Sequence, residues 1–152
     1  MMGWTNWPER YMQLAKDIGS WSKDPRQKVG AIVVGKHGQI LSQGYNGFPR
    51  KIRDSEKRLN DRETKLKYVV HAEMNAIFNA SLEGISLENA IMYVHGLPMC
   101  HECAKGIIQV GIKKVVMNPL PENRNHWEES CQLAKKMLAE AEIEYEEIHQ
   151  DL

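Results

Sequence analysis

Apolar positions along this chain follow two periods, and each change of period marks a new element. Trp7, Tyr11, Leu14, Ala15, Ile18 and Trp21 recur three and four apart, which predicts an amphipathic helix over residues 7–22. Its aromatics read as core, with stacking on a base as the rarer use of such a stripe. Ser22-Lys23-Asp24-Pro25 breaks that helix, and residues 29–34 form a short, continuously apolar strand. Lys36-His37-Gly38 supplies a turn into a second, antiparallel strand at residues 39–44. Met74, Ile77 and Phe78 share one face of a helix over residues 71–81 and predict that this face lies on the sheet. Residues 89–95 then read as a third strand, and Ala104, Ile107, Ile108 and Gln109 as a helix stopped at Gly111. Residues 113–117 read as a fourth strand, parallel to the third across a right-handed crossover. Trp127, Cys131, Ala134, Leu138 and Ala141 form the seam of a last helix, and Ile143, Tyr145, Glu147 and Ile148 a closing fifth strand.

One stretch fits neither period. Residues 48–69 read as a long irregular insertion, and between Arg50 and Lys67 eight basic side chains face four acidic ones, a local excess of four positive charges. A loop of that length in a compact domain is commonly a lid or binding loop, so it is a candidate for gripping a phosphate or a nucleotide effector, with a solvated surface insertion as the plain alternative. From Glu122 to the C-terminus the balance reverses to nine acids and three bases, as on a solvated face or subunit rim.

Composition narrows the class. A chain of 152 residues, 42% hydrophobic and 26% charged, is the size of one domain, taken here as residues 1–152, and can close one core. Its formal net charge is zero, so no global field recruits long nucleic acids or anionic membranes. No apolar run approaches a membrane span and the N-terminus lacks the pattern of a secretory leader. Three cysteines, two of them in C-x-x-C, suit a metal in a reducing compartment better than a disulfide framework, so the expected location is cytoplasmic.

The chemistry concentrates in two short segments. His71, Cys100 and Cys103 are a nitrogen and two thiolate donors, the count that a catalytic zinc keeps when its fourth corner stays open for water. Cys100 and Cys103, three apart at the start of a helix, can share one ion, and the positive end of that helix favours thiolate. Glu73 follows His71 by two, which points it about 200° away inside a regular helix, so the two can work together only where a helix is beginning. There a carboxylate can take a proton from water and pass it on. His95 and His101 are weaker ligand candidates because three better donors already serve, and Cys131 reads as buried filler on its helix seam. Arg26 and Lys28 flank the first strand and could meet a phosphate, with a solvated pair equally compatible.

H-x-E followed by C-x-x-C is the signature of zinc nucleobase deaminases. With it stand Lys28-Val29-Gly30-Ala31, Gly44-Tyr45-Asn46-Gly47, His71-Ala72-Glu73-Met74-Asn75-Ala76-Ile77, Cys100-His101-Glu102-Cys103-Ala104-Lys105, Ile107-Ile108-Gln109 and Gly111-Ile112. On these words the chain resembles the deoxycytidylate (dCMP) deaminase family of the cytidine deaminase superfamily over roughly residues 10–118. The resemblance implies a three-layer α/β/α cytidine deaminase-like fold with a mixed sheet of about five strands. It implies a bound Zn2+ and hydrolytic deamination of dCMP to dUMP, with Glu73 as base and acid, Asn46 at the sugar and the Ala72 N–H at the base carbonyl. It also implies a homo-oligomer, often a hexamer, and dCTP and dTTP as effectors. Two other readings compete: a superfamily deaminase acting on a different nucleoside, nucleotide or base, including one in transfer RNA, and a non-catalytic zinc module, which would need a fourth ligand and leave Glu73 without a task. Asn75 favours the dCMP type by resemblance. One departure stands out, since Met99 separates Pro98 from Cys100 where the family usually has proline directly before the cysteine.

Overall fold

A computed structural model of the chain describes residues 6–149; the N-terminal residues read for a leader and the end of the acidic tail lie outside them. Helix α1 (Trp7–Gly19) leads into β1 (Gly30–Val34) and β2 (Ile40–Tyr45), then α2 (Glu56–Asn60), α3 (Arg62–Tyr68) and α4 (Ala72–Glu83). Next come β3 (Ile91–His95), α5 (His101–Gln109), β4 (Lys114–Met117), a 3-10 turn (Glu122–Trp127), α6 (Glu128–Glu140) and β5 (Glu144–Glu147). The five strands form one mixed sheet in the order β2-β1-β3-β4-β5. β1 is antiparallel to both neighbours, while β3, β4 and β5 run parallel, as the α5 crossover requires. This is the three-layer arrangement expected, with the two faces of the sheet covered by different helices.

Alternation along the strands assigns the layers. Ile32, Val34, Tyr93 and Val116 point to one face, where Met12, Ala15 and Ile18 of α1 cover them. Ala31, Val33, Met92, Val94, Val115 and Met117 point to the other, where α4, α5 and α6 contribute Ala76, Ile107 and Leu138. Among the described residues no helix is long and apolar enough to cross a membrane.

Three expectations change. Helix α1 stops at Gly19, and its buried line is Met12, Ala15 and Ile18. Trp7 and Trp21 are 61% and 58% exposed, because the buried face centres on Met12 and leaves both ends of the predicted stripe to solvent. On α4 the face against the sheet is Ala72, Ala76, Ile77 and Ala80, whereas Phe78 is 47% exposed. Alanines at every fourth position let α4 lie closer to β2 than a Phe78 face would allow. Residues 48–69, finally, are helical from Glu56 to Tyr68, with a break at Asp61. α2 and α3 bury none of their residues, so no hydrophobic period announced them. Ser55 starts α2 by accepting the Arg58 N–H at 3.4 Å, and residues 50–69 hold no glycine or proline to stop a helix.

Candidate active site

Two helix starts meet at the site. His71 is the N-cap of α4 and Cys100 the N-cap of α5, each in extended conformation, so both side chains project from the end of their helix. Cys100 Sγ accepts the Cys103 N–H at 3.4 Å, which folds the C-x-x-C into the first turn of α5. α4 is held on β2 by side chains bonded to backbone: Ser42 Oγ donates to the Ala76 carbonyl at 2.6 Å, Asn75 Nδ2 to Tyr45 O at 2.8 Å and Asn79 Nδ2 to Gln43 O at 2.6 Å. Gly44 lies beneath, where a Cβ would stand 2.4 Å from the Ala76 nitrogen. α5 is approached from β3 through Gly96, whose φ of +122° and close contact with the Lys28 carbonyl suit glycine alone. Its first amide, that of His101, donates to Ser130 Oγ of α6 at 3.0 Å, and Ser130 also meets the His101 ring at 2.7 Å. The additional residue Met99 is fully buried and its N–H points to Met117 Sδ at 3.4 Å. The core absorbs it, and the three donors still converge.

His71 Nδ1 lies 3.5 Å from Cys100 Sγ and 3.4 Å from Cys103 Sγ, and the three donor atoms all fall within 4.8 Å of one another. Zn–N and Zn–S bonds of ordinary length at a tetrahedral angle put N and S about 3.6 Å apart. The donor set therefore fits zinc in spacing, and its charge fits too. The hydrogen bond from Cys103, with help from His71, pulls the Cys100 thiol down to about 4. Cys103 faces the resulting thiolate from a buried position and is pushed far up. One negative charge is ready, and a divalent cation is what would release the second. The hydrogen bond to Cys100 shifts the His71 pKa above its usual value, burial opposing and Glu73 assisting.

Beside this cluster lies a cavity of about 170 Å³ whose lining includes His71, Ala72 and Glu73. Glu73 is the second residue of α4, where the helix has just begun, and only 4% of it is exposed. Burial pushes its carboxyl up to about 7, with His71 drawing it back. It can therefore hold or release a proton near neutrality. Asn46 borders the cavity; its Oδ1 accepts the Val29 N–H at 2.8 Å and its Nδ2 donates to Gln27 O at 2.9 Å. One N–H and one lone pair of that amide stay free for a ligand. Arg26 lines the cavity, whereas Lys28 does not and donates its ammonium to the Ser22 carbonyl instead.

His95 lies outside the donor group, in phase with Tyr93 on the α1 face, and burial and Lys16 lower its pKa. Cys131 is buried and also outside the group, as its place on the α6 seam predicts. Arg62 and Lys65 of α3 reach the cavity, as do Arg124, His126 and Trp127 from the 3-10 turn. Trp127 sets its ring 6.0 Å from that of His71 and donates from Nε1 to Pro98 O at 3.2 Å. The sequence places Trp127 on a helix seam and residues 118–124 in a loop near the mouth of the site, without showing which residue of that loop completes it, and it gives no signal for His126. Only the 29- and 97-residue spans of their contacts bring them here, and no local pattern carries that signal.

Residues 5–118 match the family described as the cytidine and deoxycytidylate deaminase zinc-binding region. The chain is 39% identical over 141 residues to an uncharacterized deaminase from the luxG 3′ region of Aliivibrio fischeri, covering 92% of each protein. It is 42% identical over 115 residues to the deoxycytidylate deaminase of Homo sapiens, covering 72% of this chain and 63% of that enzyme. Among solved structures, the dCMP deaminase of cyanophage S-TIM5 in complex with dCMP and dUMP superposes with a TM-score of 0.72 at 28% identity, over 92% of this chain and 95% of that one. The match spans the β1–β2 hairpin, both helix starts that bear the donors and the parallel strands between them, and on that ground the chain belongs to the zinc-binding cytidine and deoxycytidylate deaminase family.

Proposed function

We propose that this protein hydrolyses dCMP to dUMP and ammonia, with His71, Cys100 and Cys103 as zinc ligands and Glu73 as the proton carrier. The observation that carries the reading is the buried Glu73 carboxyl on the wall of the same cavity as His71, at the mouth of two helices. When bound, zinc supplies the polarisation that turns water into a nucleophile near neutral pH. Glu73 removes the proton from the attacking water, whose oxygen bonds to C4 of the ring. The same carboxyl passes that proton to N3, then takes the remaining proton of the added water from the C4 hydroxyl and gives it to the amine as the C4–N bond breaks and ammonia leaves, so its raised pKa suits both directions of transfer. The Ala72 N–H, unpaired at the start of α4, is placed to meet the base carbonyl, and the free donor and acceptor of Asn46 the sugar. Trp127 closes the His71 side and excludes water from the ring.

The rival of a structural zinc module is disfavoured because Glu73 stands where a fourth ligand would not need it, and no other donor joins the group among the described residues. The same proposal treats the chain as one catalytic domain working in the cytoplasm. It includes self-association, supported by exposed Phe78 and Leu82 beside a groove of about 520 Å³, and control by dCTP and dTTP. Sedimentation with and without those nucleotides tests that part. For the chemistry, Glu73→Gln keeps zinc content and the far-ultraviolet spectrum while ammonia release from dCMP falls at least about 100-fold. Activity at the wild-type level in that variant removes Glu73 from the mechanism.

A further inference from the structure

Arg124 lies beyond the zinc-binding region matched at residues 5–118, yet it is fastened over the cavity. Its Nη2 donates to Gln27 Oε1 at 3.0 Å and points to the Arg26 carbonyl at 3.5 Å, two neutral acceptors that leave the guanidinium charge uncompensated. Arg26 and Arg62 line the same cavity, and among the described residues none of the three forms an ion pair. The other acid on that wall, Asp24, is already engaged. Its carboxylate takes Lys65 at 3.1 Å and the amides of Arg26 and Gln27 at 2.8 and 3.1 Å. In a chain whose formal net charge is zero, three unpaired guanidinium groups thus gather at one cavity that also holds the buried Glu73. Planar guanidinium forks match the oxygens of a phosphate monoester and gain little from a neutral hydroxyl.

We infer that Arg124 is a specificity-determining residue that selects a nucleoside 5′-monophosphate over the free nucleoside by binding its phosphate. The inference rests on the dCMP reading above. It adds that discrimination comes from the 3-10 turn, and it explains why that turn is tied across to Gln27. With Arg124 parked on neutral acceptors, its charge is held in position without being neutralised, so a phosphate can take the guanidinium with no ion pair to break.

Steady-state kinetics of zinc-loaded wild type, Arg124→Ala and Arg124→Gln decide it. The glutamine variant keeps a hydrogen-bonding partner for Gln27 and removes only the charge, which guards against loss of fold in the alanine variant. The expected result is a KM for dCMP raised about 10- to 100-fold in both, with kcat within about threefold of wild type. Competitive inhibition by inorganic phosphate weakens in parallel, while inhibition by deoxycytidine stays unchanged. A fall in kcat with KM and phosphate inhibition intact, or equal weakening of dCMP and deoxycytidine, overturns the assignment. If the wild type deaminates no cytosine nucleotide, the activity reading fails separately. Equilibrium binding of dUMP and of inorganic phosphate to wild type and Arg124→Gln then still decides the role of Arg124: weaker binding of both to the variant supports it, and equal binding ends it.

Discussion

Gly44 shows how much of the site depends on a missing side chain. A Cβ there would stand 2.4 Å from the Ala76 nitrogen and 2.6 Å from the Ala72 carbonyl, and backbone atoms cannot step aside. Gly44→Ala therefore levers α4 off β2 and, with it, His71 and Glu73. Urea unfolding is expected to show a loss of about 2–3 kcal/mol together with lowered zinc content. Gly47→Ala, whose Cβ would meet nothing nearer than the Tyr45 ring at 4.0 Å, is the contrast and stays within about 0.5 kcal/mol of wild type. Unequal outcomes at these two neighbours are the signature of close helix approach rather than of glycine loss in general. At this scale the donors were legible, because His71, Cys100 and Cys103 are chemistry written at fixed spacing. Phe78 was not, because a helix that packs on alanines hides its inner face behind an outer one that looks more hydrophobic.

Elements tell a complementary story. β1, β3, β4, α5 and α6 bury apolar residues and were readable within a residue or two at most ends. α2 and α3 bury none, and charge patterning alone does not separate an exposed helix from a loop. What fixes α3 is tertiary, since Lys65 reaches back 41 residues to Asp24 with both side chains nearly buried, 12% and 8% exposed. Burial acts to raise the Asp24 carboxyl, but the amides of Arg26 and Gln27 and the Lys65 ammonium outweigh it and leave the pKa below its usual value of 3.8. The folded pKa is thus depressed, and the unfolded chain binds the proton more readily. The resulting stability is present above pH about 4 and is lost as pH falls through the folded value. Asp24→Asn flattens that acid slope in urea midpoints measured from pH 6 down to 3. At neutral pH it costs about 3 kcal/mol, because Lys65 is left buried without a counter-charge. An unchanged acid slope would sink this account of α3.

For the molecule as a whole, the donors join residues 29 positions apart, so one ion would cross-link α4 to α5 as a staple would. Zinc at about 1,000 times its Kd contributes about 4 kcal/mol to the folded state. For a chain of this length that is a shift of roughly 8–16 °C. Scanning calorimetry before and after a strong chelator is expected to show a fall in that range, restored by zinc and not by magnesium. The two borders of the sheet, meanwhile, are dressed differently. At one end β5 leaves Glu144, Tyr145, Glu146 and Glu147 open to water, with Lys114 and Lys135 answering some of the charge. An unclaimed strand border invites another chain to zip onto it, and a row of like-charged carboxylates is a means of refusing. Any larger assembly of this protein is thereby steered away from end-to-end growth along β5 and toward its other flanks.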